Sequence, residues 1–161
     1  MATRYIANVP DFASEFTNLV YISKDDRELL DFKYIKVDKY IFTIAVHSEI
    51  KSADHICFAK LQQEIIRHHT FDKIEFTPIM LLDNFPNVRK IKFAVSNKYN
   101  NSPEFIEKIK STFVGQVFML GQKTMFMYND AMYILTVSEC NAYKHFMING
   151  GLINENTIIE L

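Results

Sequence analysis

Between Tyr40 and Phe58 the chain reads YIFTIAVHSEIKSADHICF, and its first seven residues alternate. Tyr40, Phe42, Ile44 and Val46 fall on one side and Ile41, Thr43 and Ala45 on the other. A period of two in β-branched and aromatic residues dictates a strand. Neither side is strongly polar, so both faces are expected to be covered, as in a small barrel. His47 to His55 is a polar loop, and Ile56-Cys57-Phe58 opens a further apolar segment. His47 and His55 are expected as exposed loop or strand-end residues, because a lone imidazole does not make a site.

Similar short segments recur on either side. Residues 1–15 carry little pattern. Phe16 to Ile22 and Asp31 to Val37 read as strands, the second joined to Tyr40–Val46 by the two-residue turn Asp38-Lys39. Ala59 to His69 reads as a helix with Leu61, Ile65 and His68 on one face. Phe71 to Met80 returns to strand. Turn residues cluster at 82–86, LDNFP, and place a boundary there. Beyond it, Val88 to Val95 is a clean alternating strand. Ser102 is placed to cap a helix from Pro103 to about Thr112, with Phe105, Ile106 and Ile109 inward. Three strands follow closely, 116–120, 124–128 and 131–137, with tight turns at Gly121-Gln122 and Asn129-Asp130. The end is read as an apolar run from Ala142 to Ile148, a turn at Asn149-Gly150-Gly151 and short strands at Leu152-Ile153 and 157–161. The expected fold class is mainly β, with an α+β second part.

Fourteen Phe and eight Tyr supply a core, while four Gly and four Pro argue against a linker-rich chain. Formal net charge is −1. Neither half carries the basic excess of a nucleic-acid module, so no nucleic-acid partner is expected. Cys57 and Cys140 form no CxxC and fit free thiols in a reducing compartment. No apolar run could span a bilayer, so the reading is cytoplasmic, without direct membrane insertion.

Chemistry-bearing patterns are few. Gly115 to Thr124, GQVFMLGQKT, looks like a P-loop, but five residues separate the glycines and Gln122 separates Gly121 from Lys123. His55, Cys57, His68 and His69 match no metal-ligand spacing. Cys140 with His145 lacks an orienting third group. Asp25-Asp26 reads as a solvated pair in a polar turn. No catalytic, cofactor or metal residues are therefore expected. The polar feature with most weight is a cationic stretch. Residues 81–110 hold Arg89, Lys90, Lys92, Lys98, Lys108 and Lys110 against Asp83, Glu104 and Glu107. Alternation puts Lys90 and Lys92 on one strand face, suited either to an acidic protein partner or to plain solvation.

Several segments together carry a resemblance: TNLVYI (17–22) with its hairpin, YIFTIAVHSEI with HICF, EFIEKI (104–109), FMLGQKTMFMYNDAMYILTV (118–137) and the tail GGLINENTIIEL (150–161). Through them the chain resembles the N-terminal domain of the N-ethylmaleimide-sensitive factor family, the vesicle-fusing AAA ATPases. The related valosin-containing type, which binds ubiquitin-pathway cofactors, is the alternative; the GQ segment reads closer to the vesicle-fusing branch. The resemblance implies a double-psi β-barrel over residues 1–82 and an α/β subdomain over 83–161, with a groove between, together forming one N-terminal domain of a longer ATPase. It implies a SNAP adaptor as partner and through it the SNARE bundle. It further implies a homohexamer, ATP and Mg in ATPase modules elsewhere, and a location peripheral to vesicle and Golgi membranes. Where the family has a basic pair after the strand matching 56–58, this chain has Gln63-Glu64, with Lys60 and Arg67 nearby. Where the family has paired lysines after the strand matching 91–95, it has Lys98. The residues expected to meet the partner are Arg89, Lys90, Lys92, Lys98, Lys60 and Arg67.

Overall fold

The computed structural model describes residues 1–80, 86–142 and 150–161. Its first strand corrects the reading of residues 1–15 as patternless. Strand β1 (Ala2–Asn8) buries Ala2, Arg4 and Ile6 and turns Tyr5 outward. An arginine in an inward slot breaks the apolar alternation on which strand recognition relies. That side chain is buried because its charge is matched. Arg4 Nε and Nη2 donate to the two carboxylate oxygens of Asp26 at 2.9 and 2.8 Å, Nη2 also reaches Glu28 Oε2 at 2.7 Å, and Nη1 donates to the Thr3 carbonyl. Asp26 is 2 % exposed, so the solvated Asp25-Asp26 pair expected from sequence is overturned for Asp26. Fork-on-fork bonding supplies the geometry that a buried charge needs.

Five more strands close a barrel with β1: β2 (Leu19–Ile22), β3 (Tyr34–Val37), β4 (Tyr40–Val46), β5 (His55–Phe58) and β6 (Lys73–Ile79). Their order around it is β1-β5-β2-β4-β3-β6. Two pairs, β1 with β5 and β2 with β4, are parallel, and the others are antiparallel. This mixed pattern needs crossover connections and separates the barrel from an up-and-down type. Ile6, Ile22, Ile35, Phe42, Phe58 and Phe76 are fully buried. A second cluster of Val9, Tyr21, Ile50, Cys57 and Ala59 covers other strand positions, which explains the lack of a polar face. In β4 the cover holds over Tyr40–Phe42 and ends at the exposed Val46. Asp38 makes the β3–β4 turn at φ +51, a conformation that aspartate tolerates without glycine.

Helix α1 (Lys60–Ile66) is shorter than the span Ala59–His69. Arg67 ends it in the left-handed region at φ +57. Its inward residues are Leu61, Gln62, Gln63 and Ile66, not the set Leu61, Ile65 and His68. Both glutamines are buried because each finds partners: Gln62 Oε1 accepts from Ala59 N at 2.8 Å, and Gln63 Nε2 donates to Phe58 O and Asn8 Oδ1 at 3.0 Å each.

The chain divides into two compact units, Met1–Asp83 and Asn84–Leu161. Most of the turn cluster that motivated a boundary, residues 82–85, lies outside the described residues. Among the described residues no sheet is shared between the units. The second unit has a four-stranded sheet ordered β12-β7-β10-β9 and a two-stranded one of β11 with β8. These strands are β7 (Val88–Val95), β8 (Val117–Met119), β9 (Lys123–Tyr128), β10 (Ala131–Ala142), β11 (Gly150–Leu152) and β12 (Ile158–Glu160). Helix α2 (Pro103–Phe113) starts at a Ser102 cap whose Oγ accepts from Phe105 N at 3.2 Å. It buries Phe105, Ile109 and Phe113. Phe105 is the hub: Tyr99 stacks on it, and Phe126, Tyr128 and Tyr133 meet it edge-on at 5.1–5.5 Å.

Two local readings are corrected. Gly121-Gln122 does not link a hairpin, since β8 pairs with β11 while β9 pairs with β10. Gly150 and Gly151 are strand residues rather than a turn. A Cβ on Gly150 would stand 2.4 Å from Phe118 O, so the pairing of β11 with β8 requires glycine there. The Asn129-Asp130 turn has both central residues at positive φ, +49 and +61, matching the twist of its strands.

Removing one partner of the buried pair should be strongly destabilising, because the other charge stays buried without its match. Asp26→Asn is expected to lower unfolding stability by about 3 kcal/mol, because Glu28 and Thr3 compensate the stranded guanidinium only in part. The double variant Arg4→Met with Asp26→Leu should recover most of that loss in urea unfolding.

Candidate functional site

Of the six cations named from sequence, Arg89, Lys90 and Lys92 lie on strand β7, Lys98 lies in the loop after it, and Lys60 and Arg67 lie at the two ends of helix α1. On β7, Ile91 and Phe93 point inward at 0 and 1 % exposure while Lys90 and Lys92 point outward, as alternation requires. The face is not uniformly basic. Lys90 Nζ lies 2.7 Å from Glu160 Oε1 on β12, and Lys92 is in register with Glu160 on one side and Glu139 on the other. Sequence could not show this, because the acids arrive from strands far along the chain. A one-residue bulge at Ser138, whose Oγ donates to Lys92 O at 3.1 Å, brings Glu139 into that register. Arg89 and Lys98 are exposed and make no ion pair among the described residues.

Lys60 and Arg67 lie on the barrel unit at opposite ends of α1. They line a concavity of about 880 Å³ together with Glu64, His68, His69 and Phe71. Its floor is a fixed polar network. The Thr70 hydroxyl lies 3.0 Å from Asn8 Oδ1 and 3.2 Å from Gln63 Oε1, the same groups that tie α1 to the end of β1. His68 and His69 each place Nδ1 3.8 Å from Asp72 Oδ2. This surface gathers two permanent cations, two imidazoles and one lining carboxylate. Phe71, 80 % exposed, was missed from sequence. The strand expected over 71–80 includes it, although the parity of the buried Ile74 and Phe76 excludes it from that inward set.

The remaining candidates resolve into structure. Gly115 at φ +85 follows the end of α2, and Gln116 to Gly121 contains β8, so the sequence runs helix to strand where a phosphate loop needs strand to helix. His47 is 18 % exposed rather than an open loop residue. Its Nδ1 accepts from Glu49 N at 3.2 Å, so in the neutral ring Nε2 carries the proton toward Asp11 Oδ2 at 3.1 Å. Asp11, His47 and Glu49 thus gather three potential ligand atoms within 4.8 Å, but the ring nitrogens are committed to hydrogen bonds that close the loop. Asp11 also accepts from Ser14 Oγ and N at 2.7 and 2.8 Å. These bonds, the Ser14 hydroxyl first, then the Ser14 amide and then His47, hold its carboxyl below the usual aspartate value. Burial pushes both thiols, Cys57 and Cys140, up to about 11. At neutral pH both are therefore protonated and poor nucleophiles. His145, the suggested partner of Cys140, lies outside the described residues. No helix of the described residues is long and apolar enough to cross a membrane.

No family model matches the chain. It aligns with the vesicle-fusing ATPase of Arabidopsis thaliana at 24 % identity over 172 aligned residues, covering 98 % of the chain. This chain is similar to a vesicle-fusing ATPase. The similarity supports an N-terminal domain of the N-ethylmaleimide-sensitive factor type, as the strand motifs suggested, and the barrel followed by an α/β unit agrees with it. The chain spans 23 % of that protein's length.

The bonds at Asp11 set a pH expectation. A depressed folded-state value contributes stability above the unfolded value and loses it as pH falls through the folded one. The Ser14 amide resonance should therefore report a titration midpoint below that of aspartate in an unfolded peptide. Asn at position 11 should abolish that titration.

Proposed function

We propose that this chain is the adaptor-binding N-terminal domain of a vesicle-fusing AAA ATPase. In this reading it grips a SNAP adaptor, and through it the SNARE bundle that ATP hydrolysis elsewhere in the hexamer pulls apart. The observation that carries the reading is the similarity to a vesicle-fusing ATPase over 98 % of the chain. The chain's own part is binding and positioning on the cytoplasmic side, peripheral to vesicle and Golgi membranes. ATP and Mg belong to modules outside it. The two units, divided near Asp83, act as one N-terminal domain.

The partner surface in this proposal is cationic and split. Lys60 and Arg67 supply the concave surface of the barrel unit, while Arg89 and Lys98 are exposed cations of the second unit. Lys92 and Lys90 contribute least, because Glu139 and Glu160 already stand beside them. Exposed pairs are each worth about 0–1 kcal/mol and act mainly on association rate. Six copies in a hexamer would multiply them through avidity.

Pull-down of the 161-residue chain with a SNAP adaptor, beside ubiquitin-pathway cofactors, tests the reading. Adaptor capture that weakens with added salt is expected. Lys60→Glu with Arg67→Glu should slow association several-fold, and Lys90→Glu should change it least. Capture of the ubiquitin-pathway cofactors with no adaptor bound would replace this reading by the valosin-containing type.

A further inference from the structure

Phe71 stands where neither folding energetics nor local sequence preference would put a phenylalanine. Its ring is 80 % exposed, yet its backbone sits at φ +74, a conformation that bulky residues rarely adopt. It is not a loose loop residue. Its N–H donates to Ile6 O at 2.8 Å, anchoring it to β1. On either side, His69 N donates to Asp72 Oδ2 at 2.8 Å and Asp72 N donates to His69 O at 3.0 Å. A rigid turn therefore holds an aromatic ring out into water at the edge of the basic concavity. Strained residues of this kind persist only where the surroundings over-determine them, and they concentrate at ligand clamps.

We propose that Phe71 is the apolar anchor of a docking site on the barrel unit for an acidic protein segment that also carries an apolar side chain. Charge complementarity selects the occupant. Lys60 and Arg67 line the concavity with His68 and His69, against Glu64 as the lining carboxylate. A segment whose carboxylates face Lys60 and Arg67 brings its next apolar side chain onto the Phe71 ring. Aromatic anchors surrounded by polar contacts dominate interfaces of this type. The cations supply encounter rate and register, and the ring supplies residence time. A nucleic-acid occupant is disfavoured, since the barrel unit has more acids than bases overall. The proposal deepens the adaptor reading and rests on it only for the partner's identity.

The test uses the 161-residue chain and three probes: a SNAP adaptor, a fluorescent peptide of Asp and Glu around one Leu, and the same peptide with Ser for Leu. The variant Phe71→Gly removes the ring and suits the positive φ, so it should melt at or above the wild-type temperature. It should bind the adaptor and the Leu peptide about tenfold more weakly or worse, with faster dissociation. It should bind the Ser peptide as wild type does. Phe71→Asn, which also tolerates this backbone, should behave likewise. The proposal is overturned if Phe71→Gly holds the Leu peptide as tightly as wild type, if wild type does not distinguish Leu from Ser, or if it binds neither peptide. Phe71-dependent peptide binding without adaptor binding would uphold the docking site and remove the adaptor reading. Adaptor binding indifferent to Phe71 would do the reverse.

Discussion

A single buried ion pair organises the barrel unit. Arg4 on the first strand reaches Asp26 and Glu28 in the segment between β2 and β3, so it joins chain regions that no backbone ladder connects directly. Desolvating the guanidinium is costly, and only this set of acceptors offsets it. The carboxylates hold its pKa well above the ordinary arginine value, led by the Asp26 hydrogen bond. The site has no acceptable half-filled state. Such an all-or-none requirement favours one register of β1 over its slipped neighbours, which would present Arg4 to the apolar interior or to the wrong face.

The second unit solves its packing differently. Its centre is aromatic, with Phe105 ringed by Tyr99, Phe126, Tyr128 and Tyr133. Edge-on contacts let large rings fill volume while aligning ring edges with ring faces. Phe105 sits one turn beyond the Ser102 cap, so the residue whose backbone amide completes the cap also places its ring at the centre of the core. Start of helix and centre of packing are thereby set together.

Elements whose signal is local were legible. Tyr40–Val46 and Val88–Val95 were read with their observed limits, and the Ser102–Pro103 helix start was also read correctly. Elements that depend on distant partners were not. β1 was hidden by a charge whose partner lies 22 residues away. Proximity in sequence suggests a hairpin of β8 with β9, whereas β8 pairs with β11 in a two-stranded sheet of its own. The candidate surfaces follow the same rule. Outward placement of Lys90 and Lys92 was visible in the alternation, but their acidic neighbours were not. Lys60 and Arg67 were named from sequence, while the concavity and exposed ring beside them arise from two left-handed residues that carry no glycine to announce them.

The placement of β12 has a consequence for how the molecule is made. It pairs in parallel with β7, Ile159 opposite Ile91, so one border of β7 waits for about sixty later residues. At about 5–20 residues per second, a ribosome leaves that border bare for several seconds. An unpaired strand edge of this kind can recruit the same strand of a neighbouring nascent chain. Before Glu160 is in place, Lys90 and Lys92 leave that border positively charged, and like charges on an open strand edge oppose edge-to-edge pairing.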